Sequence, residues 1–376
     1  MKETLLTRRE WSRLAAASAA IGALGGCASQ ERSPAAWVEN RSLDEMHKSA
    51  LAEGGQLLVY GGGDLPNGAA GLEQAFARRF PGMKVRILVD RSKLQGVRID
   101  NQLARGALQP DVVHILAHHY YDRWKAQGHL LPYKPLGWDQ VFAEYRDPDA
   151  FWTPTSIFVF STLVNTRVLP EAQAPRDWAD FLDPGLKGKI ALTHPEHDDS
   201  VLYQFDQAIA KHGWGWFDNL LKQDVLWIQG SGVNRQVVER GERAVSFNTS
   251  GPIVPAADSP VRFLLPRTDS FLSWAHPTAI FRRARHPEAA KLYVSWLLSP
   301  ERQGTGTSWS VRQDMPTPRA YGPLSQYNTS PTSFRAALQD RVRLEQVRDM
   351  LRQAIGRAPD TNPTGVEGIF PEGMAS

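Results

Sequence analysis

Apolar residues fall in two alternating rhythms along most of this chain: short runs of four or five, and longer stretches with apolar positions three or four apart. The short runs at 56–60, 85–89 and 112–116 read as strands, the first ending on Gly61-Gly62-Gly63. Between them, 72–80, which stops before Pro81-Gly82, and 94–108 have helical spacing, and a third helix runs through Trp124. Strands alternating with helices of this length predict right-handed crossovers and a parallel sheet. A longer apolar strand at 157–160 leaves this first set. The second set has strands at 189–193, 225–229 and 244–247, a helix over 201–212, and another that Asn234 can cap and that runs to Arg240. Segments 261–265 and 274–281 read as extended. Residues 287–298 predict an amphipathic helix with Ala290, Tyr293, Val294 and Leu297 on one face. A last helix is expected over roughly 333–355, before a Gly/Pro-rich tail, and no repeat of solenoid period is present.

The first 27 residues follow a different pattern. Arg8-Arg9 precede an alanine-rich apolar run from Leu14 to Ile21 and then Leu24-Gly25-Gly26-Cys27, the arrangement of an export signal. The run is too short to cross a bilayer, which takes roughly 20 apolar residues. Thr7-Arg8-Arg9-Glu10-Trp11 resembles a twin-arginine signal. The Leu-Gly-Gly-Cys ending resembles a bacterial lipobox, which implies that Cys27 is acylated and anchors a periplasmic or otherwise extracytoplasmic protein to a membrane. Residues 28–44, polar with Ser29, Ser33 and Pro34, suit a linker. Removing residues 1–26 takes out Lys2, Arg8, Arg9 and Arg13 against Glu3 and Glu10, and lowers the formal charge from +3 to +1. Nothing in that balance suggests a nucleic-acid partner. Cys27 is the only cysteine, and once it is spent on the lipid no disulfide is possible and no thiol remains for catalysis or metal binding.

The remaining chain of roughly 350 residues exceeds what one core usually holds, about 250–300 residues. Its order of elements resembles the solute-binding proteins of bacterial ABC importers, in the iron(III), polyamine and thiamine cluster. Gln56-Leu57-Leu58-Val59-Tyr60-Gly61 is similar to that family's first strand and ligand loop. Pro110-Asp111-Val112-Val113 fits its third strand, and Gly128-His129-Leu130-Leu131-Pro132-Tyr133 the turn after it. Trp178-Ala179-Asp180-Phe181-Leu182-Asp183-Pro184 with Lys187-Gly188-Lys189-Ile190 fits the entry to a second lobe, and His286-Pro287-Glu288-Ala289-Ala290-Lys291-Leu292 the helix returning to the first. The resemblance implies an α/β, two-lobe periplasmic-binding-protein fold of type II. Each lobe would be a mainly parallel sheet flanked by helices, with two crossing strands joining them. Lobe 1 would take 45–155 plus 275–325, lobe 2 156–274, and 326–376 a C-terminal helix and flexible tail. It also implies a monomeric, non-enzymatic function. The protein would capture a small polar or anionic solute or a metal chelate, ferric iron among the candidates, and deliver it to an ABC permease and its ATPase.

In open α/β sheets, ligands bind beyond the carboxyl ends of strands, where helix N-termini present free N–H groups. Those strand ends supply Gly61, Gly62, Gly63, Asp64 and Arg91, then His118, His119 and Tyr120. They also supply His194, His197, Asp198, Asp199, Ser231, Asn248, Thr249 and Ser250, with Trp274 and His276 at the second crossing. The glycines can bring backbone amides to an anion or simply form a turn. Arg91 can clamp a carboxylate or phosphate or lie on the surface. The stretch from His194 to Asp199 holds two imidazoles and three carboxylates, which suit iron or zinc and equally a solvated loop whose aspartates cap a helix. Trp274 and His276 suit a cleft wall or a packed hinge. Ferric-binding members use an adjacent tyrosine pair that corresponds to 248–251 here, where this chain has none. Tyr120-Tyr121 lie in lobe 1 instead, a departure that counts against the familiar ferric chemistry. The alternative is an exported metal-dependent hydrolase built on His118, His119, His194, His197 and Asp198, although no His-Glu-x-x-His or Gly-x-Ser-x-Gly motif is present. No cofactor is expected, other than a metal or chelate as the solute itself.

Overall fold

The computed structural model describes residues 36–358. The expected signal with Cys27, linker residues 28–35 and the tail beyond 358 lie outside the described residues. In chain order the strands are β1 Trp37–Val38, β2 Gln56–Gly62, β3 Lys84–Asp90, β4 Val112–His114, β5 Tyr133–Lys134, β6 Thr153–Asn165, β7 Ala191–Thr193, β8 Leu226–Ile228, β9 Val245–Thr249, β10 Val261–Leu264 and β11 Leu272–Ile280. The α-helices are α1 Leu43–Ala52, α2 Ala70–Arg79, α3 Ser92–Ala104, α4 His118–Ala126, α5 Asp199–His212, α6 Trp214–Leu221, α7 Ser231–Glu239, α8 Pro287–Leu297, α9 Pro300–Gln303, α10 Ser333–Ala337 and α11 Arg341–Ile355.

The first lobe is the expected parallel arrangement, with β2 between β3 and β4. Phe76 of α2 and Phe80, which follows it, meet Tyr293 and Trp296 of α8 in its core, beside Leu57 and Val59 of β2. Helix α8 thus returns from far along the chain to close this lobe, burying the face that its periodicity marks. The chain enters the fold earlier than the apolar rhythm indicates. β1 pairs with β5, and Ser42 with Glu45 forms a reciprocal capping box that starts α1.

Two antiparallel strands, β6 and β11, run side by side between the lobes. At about 3.3 Å per residue, β6 is roughly 40 Å long. It pairs with β9 and β10 in the second lobe, while β11 pairs with β4 in the first. The register shifts between His276 and Pro277, where Pro277 faces Pro154. Neither proline has an N–H to give the ladder, so the two crossings are least firmly tied there. In the second lobe the parallel pair β7–β8 lies beside β9. Helices α5 and α6 pack there on Phe247, Trp274 and the apolar side of α10 and α11.

Three local expectations change. The glycine run is not a turn: Gly61 and Gly62 continue β2, paired to Val89 and Asp90. Asn234 does not cap its helix, because α7 already starts at Ser231. Its buried amide instead donates to Thr193, Ser246 and Asn248, tying α7 to β7 and β9. The last helix is two helices, α10 and α11. Asp340 accepts from the Arg343 amide at 3.0 Å and restarts the second.

Candidate functional site

A cavity of about 350 Å³ lies between the lobes, room for on the order of ten water molecules or more. Its first wall is Gly61 to Leu65 at the end of β2, with Arg91, Ser92 and Lys93 where α3 begins. The crossing strands supply Phe158, Phe160, Trp274 and His276, beside His114. The opposite wall is His197 to Ser200 at the start of α5, Ser231 and Gly232 at the start of α7, and Ser250.

Gly61, Gly62, Gly63, Asp64, Arg91, His197, Asp198, Asp199, Ser231, Ser250, Trp274 and His276 therefore line the cavity as expected from their strand ends. His118, His119, Tyr120, His194, Asn248 and Thr249 do not. His118 is buried edge-on against Trp152. His119 packs at a tilt against Tyr120, and Tyr120 lies over Gly96 and stacks on Trp124. His194 faces the C-terminal segment, its Nε2 3.1 Å from the Gly356 carbonyl oxygen. The Asn248 side chain accepts from the Thr193 amide and donates back to the Thr193 carbonyl. Thr249 donates to the Ser231 carbonyl at 2.6 Å, steadying the start of α7.

Two polar links cross the cleft. Asp64 Oδ2 accepts from Ser231 Oγ at 3.0 Å and from the Gly232 amide at 3.1 Å. The residue before α7 is Gly230, at φ 92°, which has no side chain to cap the helix. Asp64 supplies that acceptor from the other lobe, where the helix dipole favours a carboxylate. A Cβ on Gly230 would lie 2.7 Å from the Asp64 Cβ, so the close approach also requires glycine. In the second link, Lys93 Nζ stands 3.1 Å from Asp199 Oδ1. The sequence reading missed Lys93, although it sits two residues beyond Arg91 at the same strand end.

Adjacent aspartates play different parts. Asp198 caps α5, accepting from the amides of Ser200 and Val201 and from the Ser200 hydroxyl. Burial, and then the charge of Asp64 across the cleft, push its carboxyl up to about 6. Burial also works against the Asp199 carboxylate, but Lys93, Arg348 and Arg341 outweigh it and hold this group well below the usual range. Asp199 is thus committed to ion pairs. Both arginines come from α11, a contact between residues more than 140 positions apart.

His276 accepts from Trp274 Nε1 at 3.2 Å, and its ring centroid lies 4.4 Å from that of His114. Burial holds His276 down at about 4 and His114 lower than usual as well, so both are neutral at pH 7. Phe158, which is 38% exposed, stacks on Trp274 with centroids 5.2 Å apart. Among the described residues no three His, Cys, Asp or Glu side chains converge to hold a metal ion, and the hydrolase alternative finds no support. No helix among them is long and apolar enough to cross a membrane.

Comparison with known proteins agrees with this architecture. The periplasmic binding protein AfuA from Actinobacillus pleuropneumoniae, solved with exogenous fructose-6-phosphate, is 18% identical, with a TM-score of 0.64 over 81% of this chain and 100% of that one. The substrate-binding protein of an ABC transporter from Agrobacterium tumefaciens is 15% identical, with a TM-score of 0.66 over 80% and 94%. Iron-bound HitA from Pseudomonas aeruginosa is 17% identical, with a TM-score of 0.60 over 79% and 99%. At such identities the likeness establishes the fold. No curated protein matches the sequence. The family model of the bacterial extracellular solute-binding proteins matches residues 108–316, more than half of the chain. With its two α/β lobes, paired crossing strands and interlobe cavity, the chain belongs to the bacterial extracellular solute-binding proteins.

Proposed function

We propose that this protein captures a small solute between its lobes and delivers it to the permease and ATPase of an ABC importer, working from the periplasmic side on a lipid anchor at Cys27. The observation that carries the reading is a cavity of small-molecule size bridged by two polar links, Asp64 to α7 and Lys93 to Asp199. A solute that touches both walls binds the closed form best and so shifts the population toward it. Helix α3 begins at the cavity without a side-chain cap, next to Arg91. A phosphate or carboxylate on the solute would meet free amides and a guanidinium there. Arg91, Ser231, Ser250, Trp274, His276 and the β2 glycines are the contacts this reading assigns.

Thermal denaturation of the purified protein against ferric citrate, phosphorylated sugars, phosphonates, dicarboxylates, thiamine and polyamines tests it. A solute at 100 times its dissociation constant adds about 2.7 kcal/mol, a rise of several degrees. One saturable rise, with a smaller radius of gyration in solution scattering, supports solute capture. A flat response to every class argues against it.

A further inference from the structure

One face of the first lobe's sheet loses its side chains where it meets the cleft. Along β2, Leu57 and Val59 enter the core beneath α2 and α8, and the strand's period of two puts Gly61 and Gly63 next in the same row. The glycines fill nothing, so the cavity continues past them into that core, lined by Leu72, Ile87, Val89 and Tyr293. A Cβ on Gly61 would lie 3.1 Å from Ile87 Cγ2, and one on Gly63 2.9 Å from Val89 Cγ1. Side chains at these positions would narrow the passage.

Tyr293 ends this recess. The residue is fully buried, and its hydroxyl has no hydrogen-bond partner among the described residues. Buried hydroxyls are nearly always paired, so an unpaired one in a residue of the cavity wall, although it exposes less than 1 Å², marks a group that a ligand atom pressing into the recess would satisfy. Phe76 and Trp296 pack on its ring and fix it in place. The other lining side chains are aliphatic. A bare ion or a phosphate entering here would lose its water without gaining a compensating charge, whereas a hydrocarbon group would bury apolar surface.

Building on the solute-capture reading, we propose that the recess is a subsite for an apolar ring or branched aliphatic group tipped by one polar atom that hydrogen-bonds Tyr293. The solute is then an organic molecule with an apolar body, its charged end remaining at the cleft.

The protein, labelled at Ile, Leu and Val methyls, would be titrated with phenol, toluene and inorganic phosphate and followed by NMR. Phenol and toluene should shift the methyls of Leu72, Ile87 and Val89, and phosphate should not. Tyr293→Phe, which keeps the packed ring, should weaken phenol at least fivefold relative to toluene. The subsite is refuted if neither aromatic moves those methyls, or if phosphate moves them as much. An unchanged phenol-to-toluene ratio in Tyr293→Phe removes the hydrogen bond from the proposal. These fragments report on the recess alone, so their failure leaves the solute panel intact. A flat panel with shifted methyls would instead fault the transport reading.

Discussion

Asp64 has two effects that substitution can separate: its oxygen caps α7 across the cleft, and its charge raises Asp198. Asp64→Ala loses both. A missing cap typically costs about 1 kcal/mol, so the open form should gain about fivefold over the closed one, read by spin-label distances between the lobes. Asp64→Asn keeps an acceptor for Ser231 and Gly232 but removes the charge. Asp198 should then fall part of the way back toward the ordinary carboxylate value of about 3.9, with burial still holding it up. The sign of the pH dependence follows. Because Asp198 is raised, its contribution to stability is complete below about pH 4 and is lost as pH rises through about 6. The histidines His114, His118, His119, His194 and His276 are all lowered, chiefly by burial. Their contribution is present above about pH 6.5 and is lost as pH falls. Five groups oppose one, so the melting temperature should rise between about pH 4.5 and 6.5. In Asp64→Asn that rise should be steeper, and an identical slope would mean that Asp64 does not act on Asp198.

Helices α3 and α4 meet through an absence. Gly96 has no Cβ, and one would collide with the Tyr120 ring. That ring is held between Trp124, stacked at 5.3 Å, and the Arg123 guanidinium, 4.8 Å from its centroid. Gly96→Ala gains up to about 1 kcal/mol of helix propensity but overpacks a clamped site at about 1–3 kcal/mol. The second effect should win, lowering the urea midpoint. Helix α11 is docked by Arg348, which donates to Asp199 and to the carbonyls of Pro195 and Glu196. Breaking a buried pair costs about 3–5 kcal/mol. Lys93 and Arg341 remain beside Asp199 in Arg348→Ala, so the loss should fall near the lower figure in chemical denaturation. Protease should also cut α11 more readily.

Across the whole molecule, β6 and β11 carry both lobes and leave closure to a few contacts. Lys93→Met removes the ion pair that crosses the cleft, while Asp199 keeps Arg348 and Arg341. Its effect should therefore appear in closure rather than in folding. Solute affinity should drop about fivefold, for roughly 1 kcal/mol, and the melting temperature of the empty protein should change little. An unfolded or strongly destabilised Lys93→Met would show that the link is structural.

The alternating strands and helices were legible in the sequence, because a period of two or of 3.6 is a local property that burial imposes on neighbouring residues. So was much of the cleft, since strand carboxyl ends in an α/β sheet converge whatever the details of packing. Which side of an element faces the cleft was not. His118, His119 and Tyr120 follow a strand end as Arg91 does, but His118 packs on Trp152 and Tyr120 stacks on Trp124 of its own helix, which keeps α4's first turn out of the cavity. Asn234 likewise looked like a cap until its partners on β7 and β9 were in place. The ion pairs of Asp199 with α11 and the recess joining Gly61 to Tyr293 link residues more than 140 positions apart. No local period encodes such a meeting. It arises only when separate elements share one core, and that was decided by the tertiary structure.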